Sequence, residues 1–469
     1  MYNLKIAFRS LKRNGLYSWI NIIGLAVGLT TCILLTLWIQ DELSFDRFHK
    51  NFENIYRANG IIDTETYWRS SPAPLAITAI ENNAEIKAFC RISNYYTEFF
   101  EYDHTNFFDI ECMAIDDNFF TFFSFPLLEG NIENPFPDDL SLIISETKAK
   151  ALFGSEDPIG KMVKGSDNLL FHIVGIAKDA PSNSSIQFEF LVPRMVIQKT
   201  YANIFWKHID IDWGSYRYQT FFLLQDNTDI LSLEKKISDQ ANATKKENES
   251  NGYDFLLQPL KNIHLYNADN SKSNALRTIY LLTLITIFIL LIACINYVNL
   301  ATARAAKRSK EIAVRKIMGA NKENLFFQLI RETLIILLMS FIIATILIYC
   351  LIPLYNYQTG KILAFTFHNT SIWLIYGIMA ISVIVLAGLY PAFTLSNFSP
   401  IEAFQSRPDG KKQGSVLRKI LVILQFTVSF ILIVTTIGVN AQMVYAYKRF
   451  RIRKGTYFFN ARNSYGNTL

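Results

Sequence analysis

NGLYSWINIIGLAVGLTTCILLTLWIQ (residues 14–40) and TIYLLTLITIFILLIACINYVNLATA (278–303) decide how this chain is read. Neither stretch contains Asp, Glu, Lys, Arg or His. Each holds a run of about 20 mostly apolar residues, long enough for a helix to cross a bilayer core of about 30 Å. Further windows without Asp, Glu, Lys or Arg follow at 333–360, 362–401 and 420–447. A soluble protein could hide that many apolar helices only inside a very large core. The pattern therefore predicts a membrane protein: an α-helical transmembrane bundle with one inserted polar block, 41–277.

Orientation follows from Lys and Arg in the short flanks. Lys5, Arg9, Lys12 and Arg13 precede the first window without any acid, while Asp41, Glu42 and Asp46 follow it. The N-terminus is then cytoplasmic. The segment after the second window carries Arg304, Lys307, Arg308, Lys310, Arg315, Lys316, Lys322 and Arg331 against Glu311 and Glu323, so it is inside as well. The loop at Lys361 is nearly neutral and falls outside, and Arg407, Lys411, Lys412, Arg418 and Lys419 bring the chain inside again. Strict alternation puts 41–277 outside the cytoplasm. A cleaved signal peptide is the alternative for the first window, but its apolar run exceeds a signal core and no small-x-small site precedes Asp41. Leu4, Phe8 and Leu11 share one helical face with basic neighbours, which predicts an amphipathic helix over 1–15 lying on anionic lipid.

The polar block mixes periodicities. Residues 140–145, 171–176, 188–192 and 218–224 are short runs rich in Ile, Val, Phe and Tyr between turn formers, and they read as strands. Residues 146–153 and 230–244 read as helices. A helix leaving the membrane is expected over 43–56, with Phe48, Phe52, Ile55 and Tyr56 on one face and Ser44 or Asp46 as its cap. Asp41, Glu42 and Asp46 beside His49 suggest either a metal site or a solvated helix start, of which the second is the simpler reading. DNFFTFFSF at 117–125 reads as packing core, with an aromatic ligand groove as the alternative. The block is α+β, large enough for its own core, and expected to form two subdomains. Cys90 and Cys112 leave open a disulfide or two buried thiols.

Composition narrows the function. Charged residues make up 18% and hydrophobic residues 51%, as suits a chain part membrane and part water-exposed. A net charge of +6, gathered at the inner membrane face, is no nucleic-acid signal. GSEDPIGK at 154–161 fails the phosphate-loop pattern, since five residues separate its glycines and Met162 follows the lysine. No H-E-x-x-H, C-x-x-C or G-x-S-x-G occurs, and six scattered histidines lack ligand spacing. Neither a catalytic residue nor a cofactor or metal site is expected. Apart from His368, the windows contain no ionisable side chain of the kind a proton- or ion-coupled transporter uses. A motor, if present, lies on another chain.

RAAKRSKEIAVRKIMGA at 304–320 is the most specific inward feature. Glu311 and Arg315 form an i, i+4 pair that supports a helix, and Gly319 is placed to end it. RSKEIAVRKIMGANKENL resembles the R-x-x-E-I-x-x-R-[KR]-x-x-G-A segment of MacB/FtsX-type ABC-transporter permeases. The likeness continues through NLKIAFRSLKRNGLYSWINIIGLAVGL, DELSFDRFHKNFENIYR, DNFFTFFSFPLLEGN, SLIISETKAKALFGSEDPIGK, FHIVGIAKDAPSNSSIQFEFLVP and YPAFTLSNFSPIEAF, in that order. What the resemblance implies is a type VII permease whose MacB-like periplasmic domain lies between spans one and two. A separate cytoplasmic ATPase would dock on the loop after span two, at Arg308, Glu311, Ile312, Arg315, Lys316 and Gly319. Spans are expected at 16–40, 278–303, 332–355 and 371–395, with a coupling loop at 304–331 and a linker at 396–419. A second permease half, a homodimer or a periplasmic protein would be further partners. Residues 420–445 resemble the first span of a second half, and the basic tail 446–469 resembles nothing expected there, which suggests a truncated tandem-half chain. A membrane-anchored sensor or scaffold is the competing reading, with a structural adhesin behind it.

Overall fold

The computed structural model describes residues 15–62, 66–95, 99–103, 105–108, 111–165, 168–197, 210–244, 252–303, 314, 316–318, 321–363, 365, 370–389, 392–393 and most of 419–445. It divides into two units. One is Trp38–Leu281, and the other joins Met1–Leu37 to Leu282–Leu469. The first is an α+β unit, and the second holds helices long and apolar enough to cross a membrane.

In the second of these units, apolar length makes the helices and small residues pack them. They are α1 (Gly15–Leu43), α6 (Asn274–Ala303), α7 (Lys322–Thr359) and α8 (Thr370–Val383), the last running into a π-helical turn, Ile384–Gly388. Val422–Gln442 is a further helix long and apolar enough to cross a membrane. Helix α1 is the interior one: Leu25, Ala26, Leu29, Cys32 and Ile33 are buried, while α7 exposes Leu338, Ile342 and Ile346. A Cβ on Gly28 would stand 2.8 Å from the Ala293 Cβ, so only glycine admits α6 this closely. On its α7 side, α1 receives hydrogen bonds from Ser340 Oγ to the Ile22 carbonyl (3.1 Å) and gives one from Thr30 Oγ1 to the Ala344 carbonyl (3.5 Å). Tyr376 stacks on Phe341 and shares a 2.8 Å hydrogen bond with Thr345, joining α8 to α7.

The unit Trp38–Leu281 is built on a sheet of 13 strands. In chain order they are β1 (Ile55–Ile61), β2 (Tyr67–Trp68), β3 (Ile86–Asn94), β4 (Phe99–Tyr102), β5 (Thr105–Phe108), β6 (Cys112–Ile115) and β7 (Leu127–Glu129). β8 (Ser141–Ser145), β9 (Met162–Gly165), β10 (Leu170–Ala177), β11 (Phe190–Pro193), β12 (Gln219–Leu224) and β13 (Asp254–Pro259) complete the set. The main path runs β13-β1-β12-β3-β6-β11-β8-β10-β9-β4-β5. Among the described residues, only β10·β8 and β11·β6 are parallel. Among the described residues, four helices accompany the sheet: α2 (Pro74–Asn82), α3 (Phe119–Phe123), α4 (Glu146–Phe153) and α5 (Ile230–Ala243). Ser145 caps α4 and Asp229 caps α5, each accepting from the backbone N–H three residues on.

Two expectations change, and one left open is decided. The two subdomains are instead one continuous sheet, because β3 pairs with both β12 and β6 and so joins the two ends. No helix forms over 43–56: α1 ends at Leu43, turns fill 44–54 and β1 begins at Ile55. The local reason is Asp46, whose φ of 58° is left-handed and breaks a helix. Of the two readings open for Cys90 and Cys112, the structure has two buried free thiols. Cys112 lies opposite Tyr95, where its carbonyl accepts from the Tyr95 N–H, and five residues of extended strand put Cys90 about 16 Å away. The aromatic run DNFFTFFSF is core: Phe119, Phe120, Phe122, Phe123 and Phe125 are all buried, and Ser124 at φ 57° ends α3.

Candidate functional site

The chain enters the periplasmic unit at β1 and leaves it at β13, and these two strands pair antiparallel from Tyr56↔Pro259 to Ile61↔Asp254. The first and second spans therefore connect, through 44–54 and 260–273, to neighbouring strands. Side chains on the two connections tie them together. Glu42 at the end of α1 is hydrogen-bonded to His264, and Phe45 stacks on the same imidazole with ring centroids 3.6 Å apart and planes 6° from parallel. Leu265, Leu276 and Ile279 form a small apolar cluster against Trp38, Ile39 and Tyr266.

Beneath the pair of strands lies a buried polar network. Arg57 Nε donates to Asn59 Oδ1 (2.9 Å) and Nη2 to Gln258 Oε1 (2.9 Å). Asn59 Nδ2 donates to Gln258 Oε1 (3.0 Å) and to the Ala268 carbonyl (3.2 Å). Gln258 Nε2 in turn holds the Tyr266 and Asn267 carbonyls at 3.2 and 2.8 Å. Burial, with Arg69 nearby, lowers the Arg57 guanidinium to about 10. Among the described residues its hydrogen-bond partners are amide oxygens, so the network fixes the 266–268 turn, which leads into α6, against β1.

The turn 44–54 is laced to two other segments. The Asp46 backbone N–H donates to the Asn183 carbonyl (2.9 Å), and its carboxylate Oδ1 accepts from Ser185 N–H (2.7 Å) and Ser184 Oγ (3.4 Å). Asn183 Nδ2 donates to Ser44 Oγ at 2.8 Å. His49 Nδ1 meets the Phe123 carbonyl, and Lys50 N–H donates to Ser124 Oγ at 3.4 Å. Phe48 packs on Phe125, and Phe125 on Phe188. Asp46 is 0% exposed and His49 1%. Burial pushes the Asp46 carboxyl up, opposed by the Ser185 and Ser184 hydrogen bonds. Burial pushes the His49 imidazole down to about 4.

This corrects the solvated helix start expected around Asp46 and His49, since both are sealed off. Among the described residues no group of three His, Cys, Asp or Glu is placed to hold a metal. Three stretches singled out in the sequence, DELSFDRFHKNFENIYR, DNFFTFFSFPLLEGN and FHIVGIAKDAPSNSSIQFEFLVP, meet at this one place. The sequence signal was the clustering of short polar residues at 44–49 and 181–185, which by itself does not say that the two clusters bond.

Of the six expected ATPase-coupling residues, Arg308, Glu311, Ile312, Arg315 and Gly319 lie outside the described residues. Lys316 is helical and half-buried, beside exposed Ile317 and Met318. Residues 1–14, with the expected amphipathic helix, and 446–469 lie outside them too.

Comparison with known proteins assigns most of the chain. The MacB-like periplasmic core domain matches residues 18–240, and the FtsX-like permease C-terminal domain matches 283–400. The chain belongs to the MacB/FtsX-type ABC transporter permeases. Permeases of this family work with a cytoplasmic ABC ATPase. A curated relative, the macrolide export ATP-binding/permease protein MacB of Bdellovibrio bacteriovorus, is 24% identical over 272 residues, 57% of this chain. The chain spans 39% of that relative's length. Among solved structures, a permease-protein domain from Porphyromonas gingivalis is 18% identical with a TM-score of 0.39, covering 45% of this chain and 92% of its own. The periplasmic region of MacB from Actinobacillus actinomycetemcomitans is 16% identical with a TM-score of 0.32, covering 47% of this permease and 94% of its own chain.

Proposed function

We propose that this permease is the membrane subunit of a type VII ABC transporter that transmits motion rather than opening a pore. A separate cytoplasmic ATPase would dock on the loop 304–331, through Arg308, Glu311, Ile312, Arg315, Lys316 and Gly319. Its stroke would pass along the spans to the periplasmic domain, and the N-terminus would be cytoplasmic. The observation that carries this reading is the junction. Spans one and two lead into paired strands, and Glu42–His264, the Phe45 stack and the Arg57–Asn59–Gln258 network make that junction one stiff element. A stiff base suits a part that is moved as a whole. The exported or extracted substrate would be handled by the periplasmic domain, alone or with a periplasmic partner.

The experiment reverses charge at the proposed dock. The double variant Glu311→Lys, Arg315→Glu should lower association with the ABC ATPase that co-purifies with the wild-type chain, and its stimulated turnover, while insertion stays unchanged. Either single reversal should have the smaller effect. Equal association in the double variant, or no ATPase held by the wild-type chain, would refute the reading.

A further inference from the structure

The transmission just proposed leaves one question open: which part of the sheet receives the motion of the first span. Covalently, α1 feeds β1, the strand next to the β13 end. Asp46 supplies a second route. Its partners Asn183, Ser184 and Ser185 lie between β10 and β11, which both flank β8 in the interior of the sheet. A bond from 46 to 183–185 thus skips β12, β3 and β6.

We propose that Asp46 is a positioning residue that delivers displacement of the first span directly to the β10–β11 segment. The inference rests on the reading under Proposed function. Its geometry suits the task. The backbone at Asp46 is in the left-handed region, which aspartate reaches more readily than most residues, and its bonds to 183–185 hold it there. The carboxylate is wholly buried, and Oδ2 has no hydrogen-bond partner among the described residues, so Oδ1 carries the contact through the Ser185 N–H. A charged acceptor on a backbone donor in a dry site is short and directional. Backbone and side chain of one residue grip the same loop, so it cannot slide without breaking both. The left-handed turn also ends α1's direction within three residues of Leu43, which leaves little slack between helix and latch.

The test uses the full chain in lipid nanodiscs and needs no ATPase. Gly28→Leu perturbs α1, where a side chain would collide with Ala293. Amide hydrogen exchange is then followed in β1 (residues 56–60) and in the receiving segment (185–192). In the wild-type background, Gly28→Leu should raise exchange in both. In an Asp46→Ala background, baseline exchange at Ser185 should rise about tenfold, as for a lost hydrogen bond to a charged group. Gly28→Leu should then still reach β1 and no longer change 185–192. Asp46→Asn keeps Oδ1 and tolerates the left-handed backbone, so it should transmit like wild type. Should Asp46→Ala exchange throughout the domain, Asp46→Gly carries the same comparison, since glycine accepts the left-handed backbone and removes the Oδ1 acceptor. A response at 185–192 that persists without the Asp46–Ser185 bond overturns the role of Asp46 and leaves the transmission reading standing. No response even in β1 overturns both.

Discussion

Around β6, β11 and β12 the periplasmic domain is held by rings, whereas along β13 it is held by amides, a hydroxyl and a carboxylate. In the first region Phe119, Phe123, Phe125, Phe188 and Phe221 contact one another with centroids 5.0–6.4 Å apart, all buried. The strands there have neighbours on both sides, so their backbone groups are satisfied and burial alone can do the rest. β13 has β1 on one side only. Its outward N–H groups at Tyr253, Phe255 and Leu257 accordingly reach Asn242 Oδ1 (2.8 Å), Ser238 Oγ (3.1 Å) and Glu234 Oε1 (2.7 Å) on α5. Those three side chains recur every fourth residue of a helix, a rise of about 6 Å, against about 6.6 Å for alternate residues of a strand. The match lets a helix close a strand edge. Sheet interiors need shape, and this edge needs donors and acceptors in register.

The largest test of that contrast is Phe123→Ala. It removes a fully buried ring whose neighbours are themselves rigid rings, so collapse around the void is limited. The domain should lose about 3–5 kcal/mol, read as the shift in urea-induced unfolding of the full chain in nanodiscs. A loss below about 1 kcal/mol would mean that the aromatic centre is loosely packed and that the contrast with the edge is false.

Acid should act between these extremes. His49 sits where the turn 44–54 meets the ring cluster, and its folded-state value of about 4 lies below the ordinary 6.5. The fold therefore favours the neutral imidazole. The stability this gives is complete above pH 6.5 and is lost as pH falls from 6.5 toward 4, by up to about 3 kcal/mol. Asp46 works in the opposite sense, because burial raises its carboxyl, and protonation in acid relieves that burial. The net slope should be flattened by His49→Gln, which keeps a donor for the Phe123 carbonyl and removes the titration. Unchanged acid sensitivity in that variant would move the cause away from this junction.

Much of this was legible in the sequence. Charge-free length marks α1, α6 and α7, and short runs rich in Ile, Val, Phe and Tyr between turn formers mark β8, β10, β11 and β12. β1 was not legible, because IYRANGI carries Arg57 and Asn59 at positions that the structure buries in a polar network. The single sheet was not legible either, since its order depends on parallel pairings such as β11·β6, between residues about 78 apart (Phe190↔Cys112), that no local pattern encodes. The turn at Asp46 reads as helix by apolar spacing. Only the distant Ser184 and Ser185 make a left-handed, buried aspartate the better solution.

The smallest expected effect is the most discriminating. Ser238→Ala deletes one hydroxyl and leaves the Phe255 N–H without its partner in a buried position. The loss should be about 1 kcal/mol, the usual net value of one such hydrogen bond. Its signature is local. Exchange at the Phe255 amide should rise several-fold to about tenfold. The amides of Asp254, Leu256 and Gln258, which alternate toward β1, should keep their protection. Glu234→Gln retains an acceptor for Leu257 and should be milder than Glu234→Ala, the more so because burial already raises the Glu234 carboxyl and so disfavours its charge. Uniform loss of protection along β13 in Ser238→Ala would show that strand and helix open together as one unit. A silent Ser238→Ala would show that apolar contact of α5 with Phe255 and Leu257 holds the edge as it holds the centre. Either outcome would erase the distinction between the two regions; a rise confined to alternate amides would fix it to named atoms.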